Sequence, residues 1–165
     1  MRILSIDPGY ERLGIAILEK EGSGKEKLVF SECFKTLKTD PHGLRLAQIS
    51  TRIKEVITQY QPENLSIEAL FFNNNQKTVI LVAESRGVVL AASVEAGLEV
   101  YEYSPPQIKL AVTGYGQSDK RQIMKMIPMI IKIEKDIKSD DEFDAIAVGL
   151  TFFAHYKPNI QKMKD

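Results

Sequence analysis

Arg2-Ile3-Leu4-Ser5-Ile6-Asp7, closed by Pro8-Gly9-Tyr10-Glu11-Arg12, is the stretch on which the fold turns. Ile3, Leu4, Ser5 and Ile6 have the composition of a strand covered on both faces. Alternation sends Ile3, Ser5 and Asp7 to one face and Leu4 and Ile6 to the other. Asp7 therefore stands last on a buried strand, where a dry, unpaired carboxylate is too costly to leave without a cation, a donor or water. Pro8 cannot donate to a sheet ladder, and Gly9 accepts backbone angles that other residues avoid, so the strand stops abruptly beside an acid. Leu13-Gly14-Ile15-Ala16-Ile17-Leu18 then resumes as a strand, which makes the segment a β-hairpin with Asp7 near its closed end. Taken alone, an Asp before Pro-Gly is turn chemistry, its side chain capping nearby N–H groups. The rival is a metal- or phosphate-handling carboxylate on a rigid strand end, and partners elsewhere in the chain decide between them.

Outward from the hairpin, a polar Gly-rich loop (residues 20–25) leads to a third strand over residues 27–35. Asp40 before Pro41 is placed to cap a helix whose Leu44, Ala47, Ile49, Ile53, Val56 and Ile57 recur at helical spacing. Pro62 ends that unit, and Leu65-Ser66-Ile67-Glu68-Ala69-Leu70 forms a fourth strand. A long helix over 78–96 stops at Gly97, a fifth strand covers 99–103, and short helices are expected over 107–112 and 119–127. A last helix runs from near Asp141 to about Tyr156. Hairpin strands followed by helical crossovers predict an α/β fold: a mixed five-stranded sheet flanked by helices, antiparallel at the hairpin and parallel at the crossovers.

The 165 residues, 44% hydrophobic and 27% charged, are most economically one globular domain over 1–165 with a real core. Zero formal charge excludes a bulk pull towards nucleic acid or membrane, so polyanion binding needs a local patch. Cys33 is the single cysteine, which excludes an internal disulfide and suits the cytoplasm; with only His42 and His155 it makes no zinc cluster. No apolar leader or membrane-spanning stretch is present in the sequence.

The acids form a pattern. Glu68 lies near the end of the fourth strand as Asp7 does on the first, and if those strands are adjacent and parallel the two carboxylates share one sheet edge. Asp140-Asp141-Glu142-Phe143-Asp144 opens the last helix, with Asp141 and Asp144 three apart on one face. Alone, such acids cap N–H groups and complement the helix dipole. Together with the strand-end pair they converge on one point, where divalent cations relieve their repulsion. Two such ions at about 3.5–4 Å stabilise both the attacking and leaving oxygens of an in-line phosphodiester displacement.

Four blocks carry a resemblance over nearly the whole chain: Asp7-Pro8-Gly9, Ile67-Glu68-Ala69-Leu70-Phe71-Phe72-Asn73, Val112-Thr113-Gly114-Tyr115-Gly116 with Lys120, and Asp141-Glu142-Phe143-Asp144-Ala145. In that order they resemble the RuvC family of crossover junction endodeoxyribonucleases. The resemblance implies a ribonuclease H-like fold, and homodimers that use Mg²⁺ (two ions with substrate bound, Mn²⁺ substituting) to nick opposed strands of a four-way Holliday junction. It further implies work alongside the branch-migration proteins RuvA and RuvB. By motif it makes Asp7, Glu68, Asp141 and Asp144 the catalytic and metal-binding acids, Phe71 a base-stacking residue, and Lys109 and Lys120 phosphate contacts. Pro128 inside a helical stretch, expected to kink or divide it, and residues 133–139 depart from the family pattern. They leave Asp140 beside Asp141 as a second candidate ligand.

Two further stretches fit. The helix over 78–96 carries Val79, Ile80, Val82, Ala83, Val88, Val89, Ala91, Ala92 and Val94, apolar on more than one face. Either it is buried wholly within the monomer or, as favoured here, it forms a dimer interface. Residues 105–139 hold seven basic residues against three acidic ones, a net +4 in a neutral chain, which suits phosphate positioning beside an acidic site. The rivals are an actin-like ATPase, for whose second phosphate loop and subdomain 165 residues leave no room, and a junction-binding protein that has lost cleavage.

Overall fold

The computed structural model describes residues 1–22, 24–70 and 76–157. The chain forms β1 (Arg2–Asp7), β2 (Arg12–Lys20), β3 (Glu26–Lys35), α1 (His42–Tyr60), β4 (Asn64–Glu68), α2 (Gln76–Glu95), β5 (Glu99–Tyr103), α3 (Pro105–Thr113), α4 (Lys120–Ile130) and α5 (Asp140–His155). The five strands make one sheet in the order β3-β2-β1-β4-β5. β1 is antiparallel to β2 and parallel to β4, and β4 is parallel to β5. This is the ribonuclease H-like mixed sheet that the resemblance implies.

The alternation along β1 sorts the two cores. Ile3, with Ala16 and Leu18, faces α3, α4 and α5; Leu4 and Ile6, with Leu13, Ile15 and Ile17, face α1 and α2. β1 is thus covered on both faces, as its composition requires. Helix α5 lies hard against the sheet because small residues let it. A Cβ at Gly149 would stand 2.8 Å from both Leu18 Cδ1 and Ser5 Oγ, and the Ser66 hydroxyl donates to the Val148 carbonyl at 3.0 Å. The exposed edge of β3 is blunted by the segment after α4. Lys132 bridges Lys27, and Lys135 Nζ reaches the Ser31 carbonyl at 2.6 Å.

Several local expectations need correction. Asp40 does not cap α1: the first helical bond runs from Arg45 N–H to the Pro41 carbonyl, so Asp40 is one residue too early and accepts from Gln48 Nε2 at 2.9 Å instead. Helix α3 starts at Pro105, two residues earlier than expected, because Ser104 and Gln107 form a capping box and proline is pre-set for the first turn. Pro128 does not divide α4, which runs through it to Ile130; it falls in the last turn. Gly9 is required by space and not by its backbone angles. Its φ is not positive, but a Cβ there would meet the Arg12 carbonyl oxygen at 1.9 Å.

The turn between β1 and β2 is held from below. Buried Arg45 lays its guanidinium 3.7 Å from the Tyr10 ring centroid and donates to Thr36 Oγ1 at 2.9 Å. Thr36 in turn donates to the Tyr10 carbonyl (2.8 Å), and Ser85 of α2 donates to the Gly9 carbonyl (2.8 Å). The edge of the sheet that carries Asp7 is therefore a braced support.

Candidate active site

Two carboxylates meet at the end of the sheet. Ile6 pairs with Ile67 in the parallel β1–β4 ladder, so Asp7 and Glu68, one residue further on each strand, stand side by side. The Asp7 carboxyl hydrogen-bonds Glu68. Burial first, then the charges of Glu68, Asp144 and Asp141, push Asp7 well above the ordinary carboxylate range. Burial and Asp144 also raise Glu68, against the hydrogen bond from Asp7 and the charges of Lys109 and Lys120. Burial, and after it the crowding of like charges, thus disfavours ionisation of the pair.

Helix α5 brings the other acids. Its N-terminus approaches so closely that a Cβ on Gly14 would stand 2.2 Å from the Asp141 carbonyl oxygen and 3.1 Å from Asp7 Cβ. Gly14 is Asp7's partner in the β1–β2 ladder, so the absence of a side chain there is what lets α5 reach the strand end. Asp144 accepts from Lys120 Nζ at 2.7 Å, and Lys120 also reaches Asp140 Oδ2 at 2.9 Å. Burial raises Asp144 even so. A cleft of about 220 Å³ opens here, lined by Glu68, Lys109, Lys120 and Asp144 and by apolar Pro105, Ile108, Ile123 and Ala147.

Asp141 faces another way. Its Oδ2 receives the Arg12 guanidinium, the Ser139 hydroxyl (2.6 Å) and the Cys33 thiol (3.3 Å). Burial pushes Asp141 up, but these three donors outweigh it and hold the carboxylate below its usual range. Asp140, the rival ligand, is half exposed and bridges Arg12 and Lys120. The first-turn acids are thus occupied chiefly by side chains and not by capping. Glu142 is buried and accepts from Ser31 Oγ (2.7 Å) and Lys135 Nζ (2.5 Å), pinning the start of α5 to β3.

Asp7, Glu68 and Asp144 thus sit together with Lys109 and Lys120 beside them, while Asp141 joins by charge and is drawn towards Arg12. Among the described residues, no three acidic, histidine or cysteine side chains yet enclose a point close enough to hold a metal ion. The donor set nonetheless suits a hard divalent cation: it is all oxygen, and Asp7 and Glu68 are both raised by burial and neighbouring carboxylates, an opposition that a cation would relieve. Phe71 lies outside the described residues. Arg12, Ser139, Cys33 and the Ser31–Lys135–Glu142 lock were not legible as site residues. Only Arg12 left a signal, since the closed end of the hairpin puts it at Asp7's edge of the sheet.

The family model described as crossover junction endodeoxyribonuclease RuvC matches residues 3–152. A crossover junction endodeoxyribonuclease RuvC of Brevibacillus brevis is 40% identical over 151 residues, 92% of this chain and 90% of that protein. One from Moorella thermoacetica is 38% identical over 165 residues, covering 100% of this chain and 98% of its own. Among solved structures, Thermus thermophilus RuvC in complex with a Holliday junction substrate superposes with a TM-score of 0.87 at 32% identity, covering 94% of each chain. The yeast mitochondrial Holliday junction resolvase Ydc2, at 11% identity and a TM-score of 0.70 over 92% of this chain and 77% of its own, shares the fold.

Proposed function

The chain belongs to the RuvC family of crossover junction endodeoxyribonucleases, and on that footing we propose that it resolves Holliday junctions by paired, symmetric nicks in opposed DNA strands. The observation that carries this reading is the Asp7–Glu68 pair: two carboxyl groups side by side at the ends of adjacent parallel strands, with Asp144 and two lysines beside them. Asp7, Glu68, Asp141 and Asp144 would hold divalent metal, Mg²⁺ with Mn²⁺ as a substitute, as two ions once DNA is present. Bound there, the metal supplies Lewis-acid stabilisation of the phosphodiester displacement and an acidified water.

The chain's own residues do the rest. Asp7 and Glu68 must both be ionised to serve as oxygen ligands, against the burial and neighbouring charge that raise them. Asp141, already kept ionised by its three donors, is ready without that step. Lys109 and Lys120 offset the acids that would repel a polyanion and take phosphate oxygens. Phe71, three residues beyond the end of β4, stacks on a base at the crossover, worth about 1–3 kcal/mol. A homodimer presents two such sites to the two opposed strands, in the cytoplasm beside RuvA and RuvB. Among the described residues, no helix is long and apolar enough to cross a membrane.

A synthetic four-way junction with each strand labelled in turn tests this. Nicks at symmetric positions with Mg²⁺, none with EDTA, and no ATP turnover are expected. Junction binding without any cleavage in Mg²⁺ or Mn²⁺ would leave a binding protein, and ATP hydrolysis would favour the actin-like alternative.

A further inference from the structure

Arg12 opens β2 and leans over the first turn of α5. One of its terminal nitrogens, Nη2, meets Ser139 Oγ at 3.0 Å, Asp140 Oδ1 at 3.0 Å and Asp141 Oδ2. Among the described residues every oxygen that Arg12 touches is touched by this one nitrogen. The Nε and Nη1 donors of the fork are left without an oxygen partner, on a side chain that is 49% exposed. A guanidinium has five N–H donors in a planar fork that matches the two oxygens of a phosphate. Here every oxygen contact is gathered at one corner of the fork and the Cys33 thiol is a further partner, while the rest of the edge meets no oxygen among the described residues. The tie also orders the side chain, so the entropy of fixing a long arginine is already spent before any ligand arrives.

The neighbours say what ligand fits. Asp140 is shared by Arg12 and Lys120, whose nitrogens stand 3.0 and 2.9 Å from its two carboxylate oxygens. Lys120 continues to Asp144, which lines the cleft with Glu68 and Lys109. Arg12, Lys120 and Lys109 therefore form one basic rim around the acids, with Asp140 as the joint between the first two. Nothing in the sequence motifs assigned Arg12 a part in it. We propose that Arg12 is a DNA-binding residue of this site: Asp140 and Asp141 hold its Nη2 corner, and the free edge of the guanidinium takes a backbone phosphate of the strand entering the cleft. The rival is a brace, an arginine that only fastens the start of α5 to the β1–β2 turn.

The inference rests on junction binding by this chain, so the experiment includes a check on that reading. Binding of a fluorescein-labelled synthetic junction is followed by anisotropy in EDTA, where nothing is cut, across a range of KCl concentrations. The full-length protein is compared with Arg12→Ala and Arg12→Lys. A phosphate contact predicts that Arg12→Ala binds about 10-fold more weakly and that the slope of log affinity against log salt falls by about one. Arg12→Lys, which keeps the charge without the fork, should recover the slope and only part of the affinity. A second readout needs no DNA: the rise in melting temperature with added Mn²⁺. A phosphate residue predicts that the rise is kept or enlarged in Arg12→Ala, because removing the guanidinium frees Asp141 Oδ2 for the cation. A brace predicts the reverse, an unchanged salt slope with a smaller Mn²⁺ shift, and that outcome overturns the proposal. If Arg12→Ala does not fold, an Arg12→Lys variant that binds with both the affinity and the salt slope of the unaltered protein overturns it as well. Failure of the unaltered protein to bind the junction would defeat the family reading instead.

Discussion

A carboxyl raised by burial and then by the carboxyls around it is a liability until a cation comes, and Asp7 is placed in that position. Its raised pKa has a direct consequence for stability. Between the ordinary carboxylate range and its raised value, folded Asp7 holds a proton that the unfolded chain has lost, so stability falls as pH rises through that window. Metal-free protein should accordingly melt at lower temperature as pH climbs above the ordinary range. Asp7→Asn, which cannot ionise, should flatten the slope and raise the melting temperature near neutrality, each kcal/mol of relieved repulsion being worth about 2–4 °C. The same change should cut junction cleavage by more than about 100-fold, since losing even the residues that merely orient a metal ligand costs about 10–100-fold. Binding should persist or tighten as repulsion of phosphate falls. Calorimetric melting in EDTA beside a cleavage assay checks both. A variant that is less stable near neutral pH, or one that still cuts, would remove Asp7 from the role given it. Lys120 is the complementary case. Lys120→Ala should weaken junction binding and lower the salt slope by about one, and an unchanged slope would make it a surface lysine that only neutralises Asp144.

At the scale of elements, the approach of α5 to the sheet converts a strand-end pair into a four-acid site, and two glycines separate fold from function. Gly149→Ala would push a methyl against Leu18 and Ser5, deep in the interior and far along the helix from its acids. It should cost about 1–3 kcal/mol by overpacking while the folded fraction still cleaves. Gly14→Ala would strike the Asp141 carbonyl oxygen at 2.2 Å, so the helix start must move. Cleavage per folded molecule should drop. Equal cleavage by both variants, normalised to folded protein, would show that the position of α5 is not critical. The strands, the hairpin and the pairing of Asp7 with Glu68 were legible because period-2 alternation, Pro8 and a helical crossover are local signals. Helix starts were legible only approximately, since Asp40 looked like a cap and Pro41 took the position. What stayed hidden depends on contacts distant in the chain. Ser31 meets Glu142 and Cys33 meets Asp141 across more than a hundred residues, and no spacing rule joins them.

For the whole molecule the remaining matter is the outer face of α2. Val89 and Ala92 are buried inward, yet Ile80 is 58% and Val94 60% exposed, so the alternative in which this helix is buried wholly within the monomer fails. An apolar stripe of this kind, with Gly87 and Ala91 also exposed between its ends, permits close approach of a second backbone. A second copy is the occupant that the chemistry asks for, because paired nicks in two opposed strands need two sites in one particle. The same helix braces the Asp7 turn through Ser85 and the Gly9 carbonyl, so a partner seated on α2 would lie one hydrogen bond from the site. Ile80→Glu with Val94→Glu would bury unpaired charges in such an interface, at several kcal/mol each. Every 1.4 kcal/mol is about tenfold in Kd, so the double variant should sediment as a monomer at concentrations where the unaltered chain is expected to sediment as a dimer. Since neither residue contributes to the core, its melting should stay cooperative. Its cleavage should lose pairing before it loses chemistry: single nicks accumulating in a supercoiled plasmid bearing an extruded cruciform, in place of linear product. An unaltered chain that sediments as a monomer with junction bound, or a double variant that still yields linear product at the original rate, would show that α2 is not where two copies meet.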